Sequence, residues 1–348
     1  MYPRNKKKIV VAMSGGVDSS VAAALLKEQG YDVIGITMRL TELDKGAEAK
    51  KIADGLDIPH LSVDFRDVFK KQVVDDFIKE YKHGRTPNPC IRCNQFIKFD
   101  YLHQKAKELG AEFVATGHYA RISHITSPVS QFKLLKGIDK RKDQAYVLYM
   151  MNQESLAHTL YPLGEMTKEE VRELAKKFDL PVAGKKESQE ICFVEDDDYG
   201  RFIKENCPEA VKPGPIMDQD GNVLGQHDGI AFYTLGQRKG IGSHKSLPKY
   251  VVALDRKNNA VIIGGQEDLL AKELIADNVS YISGKAPDEP LNIKAKIRYN
   301  SLEAEAVLYS QEEEKVKVVF KRPQRAITPG QSVVFCKGDD VLGGGIIS

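Results

Sequence analysis

The stretch Ile9-Val10-Val11-Ala12-Met13-Ser14-Gly15-Gly16-Val17-Asp18-Ser19-Ser20 decides the fold. Its first five residues, apolar and mostly β-branched, read as a strand buried on both faces. Ser14, Gly15 and Gly16 break that run, and Ser20 to Gln29 then reads as a helix stopped by Gly30. Outward from there the alternation repeats. Val33 to Met38 and His60 to Val63 are strands, as is Phe113 to Thr116. Between them, Glu48 to Leu56, Val68 to Tyr81 and about Asn94 to Leu109 read as helices. Strands alternating with helices predict a parallel sheet covered on both faces, a doubly wound α/β domain. Thr167-Lys168-Glu169-Glu170 has capping-box spacing ahead of Val171, Leu174, Ala175 and Phe178, so a further amphipathic helix belongs to the same domain.

The pattern changes after about residue 205, where Pro208, Pro213, Gly214, Pro215, Gly221 and Gly225 crowd together. From Tyr250 onward short β-branched or alternating runs dominate: Val251 to Leu254, Ala260 to Ile263, Ile293 to Ile297, Ala304 to Tyr309, Lys315 to Phe320 and Ser332 to Phe335. These predict a small antiparallel barrel. The expected domains are a catalytic α/β domain over 1–205, a small central domain over 206–268 and a C-terminal β-barrel over 269–348.

Composition narrows the class. Hydrophobic residues make up 42% and charged residues 29% of 348, which excludes a disordered chain and allows a full core. The basic start, Met1 to Lys8, precedes an apolar run far too short for a signal peptide, and no run approaches a membrane span. A cytoplasmic protein with no membrane partner is expected. Net charge is only +2, from 51 basic and 49 acidic residues, so bulk charge does not announce a nucleic-acid binder. Local patches at Lys140 to Lys142, Arg238 to Lys245 and Lys321 to Arg325 would have to carry that role. Five cysteines are an odd, sparse set, which in a reducing compartment points to catalysis or metal binding.

The strand, glycine loop and helix start are built to hold phosphate. Gly15 and Gly16 allow close backbone approach, the helix N-terminus faces the anion, and Ser14, Ser19 and Ser20 offer hydroxyls. Asp18 would repel bare phosphate, so it points to a bridging Mg²⁺. The glycine-lysine P-loop and the dinucleotide glycine fingerprint are both absent.

A second centre is Gly84-Arg85-Thr86-Pro87-Asn88-Pro89-Cys90-Ile91-Arg92-Cys93-Asn94. Pro87 and Pro89 stiffen an extended loop, and Cys93 falls at the start of the helix predicted from Asn94, where amides and dipole would stabilise a thiolate. Cys192, in Glu187-Ser188-Gln189-Glu190-Ile191-Cys192-Phe193, taken alone reads more readily as an inert core cysteine than as a reactive one.

Ser14 to Ser19 matches the signature of the PP-loop ATP pyrophosphatases, a superfamily that cleaves ATP between its α and β phosphates. Together with Gly84 to Lys98, Ala115-Thr116-Gly117-His118-Tyr119-Ala120, Lys142-Asp143-Gln144, Ser188 to Phe193, Leu235 to Gly240 and Thr328 to Gln331, the chain resembles the tRNA-specific 2-thiouridylases over nearly its whole length. The resemblance implies that Ala12, Met13, Ser14, Gly15, Gly16, Val17, Asp18 and Ser19, with Met38 and Gly117, hold ATP and Mg²⁺. It implies that the 2-oxygen of the first anticodon uridine attacks the α-phosphate. Cys192 would carry a persulfide supplied by a sulfur-relay protein or cysteine desulfurase, and Cys93 would free or direct the sulfur, with a Cys93–Cys192 disulfide as product. Asn88, Pro89 and Cys90 match the loop around the target base. His118, Lys142, Asp143, Gln144, Arg298, Tyr299 and Gln331 match positions that contact the tRNA anticodon arm.

Cys90 departs from the Asp common in that family. The departure puts any role of that carboxylate in doubt and creates Cys90-x-x-Cys93 with a distant Cys192, a set able to hold a [4Fe–4S] cluster with one open iron. A closed zinc site would want a fourth ligand. Two other classes stand beside the sulfurtransferase: a small-molecule adenylating ligase, and a tRNA-binding protein without turnover.

Overall fold

Val10 and Ala12 point to one side of the first strand and Ile9 and Val11 to the other, and each pair enters a different core. That strand, β1 (Lys8–Ala12), lies at the centre of a parallel sheet, a computed structural model of which describes residues 7–42, 46–126, 131–185, 191–194, 198–242, 248–312 and 314–348 of the chain. Met1 to Lys6, Glu187 to Glu190 and Ser243 to Lys245 of the stretches singled out above lie outside the described residues.

β1 pairs with β2 (Asp32–Arg39), which pairs with β3 (His60–Asp64), and on its other side with β4 (Phe113–Ala115). A hairpin follows, β5 (Ala120–Ile125) and β6 (Gln131–Lys136), before the short β7 (Thr159–Leu160) completes the parallel order β3-β2-β1-β4-β7. On one face Ile9 and Val11 pack with Val21, Ala22 and Leu25 of helix α1 (Val17–Glu28) and with Val171 and Ala175 of the helix Lys168–Lys177. On the other, Val10 and Ala12 meet Phe69, Val73, Ile97 and Leu102. Each such side chain contributes about 1.5–3 kcal/mol by leaving water, so the two layers hold the strand ends, and the loop after β1, in fixed positions. The capping box forms as spaced: the Glu170 amide donates to Thr167 Oγ1 at 3.3 Å, and Glu170 Oε2 accepts from the Thr167 amide at 2.7 Å.

The helix predicted from Asn94 begins at Pro89 instead. Asn88 caps it, its side chain accepting from the Cys90 amide at 3.1 Å, and Pro89 takes the first-turn position where no amide is needed. The helix is α-helical over Pro89–Arg92, π-helical over Cys93–Tyr101 and α-helical again over Leu102–Glu108.

Beyond the α/β domain, β8 (Gly214–Met217), β9 (Val223–His227), β10 (Tyr250–Asp255) and β11 (Ala260–Gly264) form a separate four-stranded sheet. The runs at Val251 and Ala260 thus belong to the central domain and not to the barrel. The barrel consists of β12 (Leu270–Tyr281), β13 (Leu291–Lys296), β14 (Ala304–Ser310), β15 (Val316–Arg325), β16 (Ser332–Lys337) and β17 (Asp340–Ile347), closed by the pairing of β12 with β17. The hairpin β5–β6 joins this sheet through Leu135 opposite Asp340, tying the first domain to the last. Among the described residues no helix is long and apolar enough to cross a membrane.

Candidate active site

The loop after β1 is held from within. Gly15 adopts φ +72°, open to glycine and strained for other residues, and the turn lets the Ser14 amide donate to Ser19 Oγ at 3.2 Å. Ser19 and Ser20 hydroxyls donate to the Gly16 carbonyl at 3.1 and 2.8 Å. The amides of the first turn of α1 are left to face an anion. Ala12, Met13 and Val17 are buried and Met38 packs against the core, so their side chains serve the core. Asp18 is engaged: both its oxygens accept from Lys168, at 2.6 and 2.8 Å, and one accepts from the Tyr119 hydroxyl at 2.8 Å. A carboxylate among hydroxyls still suits Mg²⁺, which prefers hard oxygen donors.

Gly117 closes the loop from the C-terminal end of β4. A Cβ there would lie 2.8 Å from Asp18 C and 2.8 Å from Ser19 N, so only glycine lets the two segments touch. His118 follows. It is buried, its Nδ1 is 2.6 Å from Thr116 Oγ1, and its Nε2 is 3.3 Å from Lys98 Nζ. An ammonium only donates, which assigns the imidazole proton to Nδ1. Burial, reinforced by the Lys98 charge, holds this histidine well below its usual pKa and therefore neutral.

Lys98 also lies within electrostatic reach of Cys90 and Cys93. Cys93 is half-buried, and burial pushes its thiol up to about 12; Lys98 opposes that shift, and the nearby Cys192 and Cys90 add to it. Cys90 is reached by solvent, yet the protein packed around it raises its thiol too, again against Lys98. The helix-start stabilisation expected for Cys93 is absent because the helix begins a full turn earlier, leaving Cys90 in its first turn. Cys192 is exposed and placed by its neighbour: Phe193 stacks edge-on against Phe69, Phe77 and Phe202 at 5.6, 5.3 and 5.4 Å. Cys93 and Phe193 pack on the same core cluster, which brings the two cysteines into one neighbourhood. Cys93 is not in a disulfide. Among the described residues no three His, Cys, Asp or Glu side chains are grouped to hold a metal ion, so Cys90, Cys93 and Cys192 do not form a cluster ligand set in this conformation.

Of the polar positions expected at tRNA, Gln331, Arg298 and Tyr299 join domains, whereas Lys142, Asp143 and Gln144 hold turns within the first domain. Gln331 Nε2 donates to the Thr86 carbonyl at 2.8 Å and the Thr86 amide to the Pro329 carbonyl at 2.9 Å, which fixes the loop ahead of Asn88 to the barrel. Arg298 donates to the Leu235 and Ala326 carbonyls at 3.2 and 2.7 Å and to Thr328 Oγ1. Tyr299 donates to the Asp143 carbonyl at 3.3 Å. Asp143 Oδ1 accepts from the Gly137 and Ala145 amides at 3.0 and 3.1 Å, and Gln144 Oε1 accepts from the Tyr119 amide at 3.0 Å. The Lys142 amide donates to the Asp139 carbonyl at 3.0 Å, within the same turn. Lys168 and Tyr119, which the sequence reading left without a role, sit on the phosphate loop; the only signal for Lys168 was its place in a capping box, where it reads as a surface residue.

The strand, glycine turn and hydroxyl-rich helix start define the first domain as a PP-loop nucleotide-binding domain. Three family models match the chain: the tRNA methyl transferase HUP domain over residues 7–196, the tRNA methyl transferase PRC-barrel domain over 200–265 and the aminomethyltransferase beta-barrel domain over 271–347. The chain is 50% identical to the tRNA-specific 2-thiouridylase MnmA of Acetivibrio thermocellus over 99% of each chain. It is 53% identical to tRNA-specific 2-thiouridylase MnmA 1 of Caldanaerobacter subterraneus, covering 98% of this chain and 97% of the relative. The chain belongs to the tRNA-specific 2-thiouridylase family. A solved NMN synthetase from Francisella tularensis overlaps 53% of this chain and 66% of its own at a TM-score of 0.34 and 17% identity, too distant to add to that assignment.

Proposed function

We infer that this protein is a tRNA uridine 2-sulfurtransferase, which activates the 2-oxygen of the wobble uridine with ATP and replaces it with sulfur carried on a cysteine. One observation carries the reading: the phosphate loop and the sulfur residues are contiguous. Asp18 and Ser19 pack against Gly117, its neighbour His118 bonds Lys98, and Lys98 shares the helical segment Cys93–Tyr101 with Cys93. An oxygen adenylylated at the loop therefore lies beside the sulfur that displaces it.

The uridine 2-oxygen attacks the α-phosphate of ATP and pyrophosphate leaves; the amides of α1 and the hydroxyls of Ser14 and Ser19 receive the phosphate charge. Asp18 would be the carboxylate to hold Mg²⁺, which when bound would supply charge neutralisation for the phosphates. Cys192 carries a persulfide received from a donor protein. Its outer sulfur attacks C2 and AMP leaves, giving a disulfide between Cys192 and the base carbon's sulfur. Cys93, as thiolate, then attacks Cys192 Sγ; that sulfur–sulfur bond breaks, its electron pair leaves with 2-thiouridine, and a Cys93–Cys192 disulfide remains for a thiol to reduce. Tying the Asn88 loop to the barrel through Gln331 lets tRNA bound on the barrel fix the loop around the target base.

Nucleoside mass spectrometry of tRNA incubated with the protein, ATP, Mg²⁺ and a persulfide donor tests the reading. New 2-thiouridine, formed only with ATP, is the expected result. ATP–pyrophosphate exchange that depends on a small acid and not on tRNA would instead select an adenylating ligase.

A further inference from the structure

The helix that carries Cys93 changes its winding at that residue. Over Cys93–Tyr101 it is π-helical, and at the exit the Leu102 amide donates to the Ile97 carbonyl, five residues back. π-Helical stretches are rare and usually a single turn long, so a run of this length at a reactive cysteine asks for a cause. Winding decides which side chains share a face. In an α-helix, at about 100° per residue, Lys98 would lie ~140° around the axis from Cys93 and point elsewhere. In a π-helix, where bonding partners are five apart, residues five apart stand one over the other, as residues four apart do in an α-helix. The π-winding thus brings Lys98 onto the face of Cys93.

The far end of Lys98 is fixed as well. Its ammonium donates to Nε2 of buried His118 at 3.3 Å, and His118 is fixed in turn by Thr116 at 2.6 Å. His118 is neutral, so it orients Lys98 without cancelling its charge. Among the described residues no carboxylate pairs with Lys98. Five residues on from Cys93 along the same segment, that charge opposes the rise that burial imposes on the thiols of Cys90 and Cys93. A half-buried sulfur anion needs such a counter-charge, because desolvation opposes the ion and a nearby cation restores it.

We propose that Lys98 is a positioning residue for sulfur transfer: oriented by His118 and carried onto the face of Cys93 by the π-helical winding, its ammonium is the counter-charge for the sulfur anion that acts at Cys93. The inference rests on the sulfurtransferase reading, and it separates the two half-reactions, since adenylylation at the phosphate loop makes no demand on Lys98.

The test compares wild type with Lys98→Met, Lys98→Gln and Lys98→Arg in two assays on the same tRNA: ATP-dependent pyrophosphate release and 2-thiouridine formation. Lys98→Met and Lys98→Gln should slow thiolation at least about tenfold while pyrophosphate release stays within about twofold, and Lys98→Arg should recover most of the loss. Gln keeps a donor within reach of His118 and a similar length, so it separates loss of the charge from loss of that contact. The rate of iodoacetamide modification of Cys93, read by peptide mass spectrometry, should fall in the Gln variant and recover in the Arg variant. A purely structural role would slow both half-reactions together. Thiolation at wild-type rate in Lys98→Gln, or equal loss of both activities, overturns the inference. A wild-type protein that forms no 2-thiouridine overturns the functional reading itself, and is told apart because the reference sample is then silent.

Discussion

Lys168, only 5% exposed, donates to both carboxylate oxygens of Asp18, a residue 150 positions away in the chain. The acid of the phosphate loop therefore rests in an ion pair, and a cation binding Asp18 would have to compete with Lys168 for it. Asp18→Asn should lower tRNA-dependent pyrophosphate release at least about tenfold and leave tRNA affinity within about twofold, because the acid acts on the leaving phosphates and not on the RNA. The same change strands a buried ammonium beside an amide, which should cost about 1–3 kcal/mol, read from the urea midpoint. Unchanged pyrophosphate release would remove Asp18 from the ATP site.

Gly117→Ala introduces a methyl group 2.8 Å from two backbone atoms of the loop, Asp18 C and Ser19 N, neither of which can rotate away. The loop must shift. Overpacking of this kind costs about 1–3 kcal/mol, and activation should fall more steeply than stability because the displaced segment is the one that meets phosphate. Denaturant unfolding and pyrophosphate release, measured on the same preparation, check both halves.

Burial, with the His158 charge second, lowers His103 to about 4, against a usual value near 6.5. Between those values the unfolded chain binds a proton that the folded chain refuses, so stability is full above pH 6.5 and is lost as pH falls toward 4. His118 shifts in the same direction. Urea midpoints measured from pH 4.5 to 7.5 should rise with pH, and His103→Asn should reduce that slope by up to one proton. An unaltered slope would mean that His103 titrates normally in the folded protein.

Cys90 lies in the first turn of its helix, exposed, with its amide capped by Asn88. Cys90→Asp places an anion where the helix dipole favours one, which stabilises by about 0.3–1 kcal/mol. With sulfur exchange confined to Cys93 and Cys192, this variant should thiolate tRNA at near wild-type rate in air. Activity that rises and falls with bound iron after anaerobic reconstitution, and is lost in Cys90→Asp, would restore the cluster alternative.

The parallel sheet and phosphate loop were legible because Ile9 to Met13, Gly15 and Gly16 act locally: buried β-branched residues, a turn at positive φ and a helix start need no distant partner. The cysteine helix was placed late because Pro87 and Pro89 were read as loop formers, although an Asn-Pro pair also caps and starts a helix. Its π-winding leaves no periodic mark in so short a stretch. β17 was hidden by Gly343, Gly344 and Gly345, which weaken any strand signal. Those glycines answer to packing: a Cβ at Gly344 would fall 2.6 Å from the Val333 carbonyl oxygen and 2.8 Å from the Tyr149 ring. The site depended on long-range contacts. Asp18 with Lys168, Lys98 with His118, and Gln331 with Thr86 each join segments whose residues, taken singly, look like ordinary polar surface.

The central claim is that adenylylation and sulfur transfer are separate steps, the second carried by two cysteines. Cys93→Ser and Cys192→Ser, assayed with ATP, Mg²⁺, tRNA and a persulfide donor under anaerobic conditions, test it most directly. Both variants should release pyrophosphate at rates within about twofold of wild type and form no 2-thiouridine, because oxygen cannot replace sulfur in disulfide exchange. Thiolation by either variant at near wild-type rate would contradict the account and make that cysteine structural.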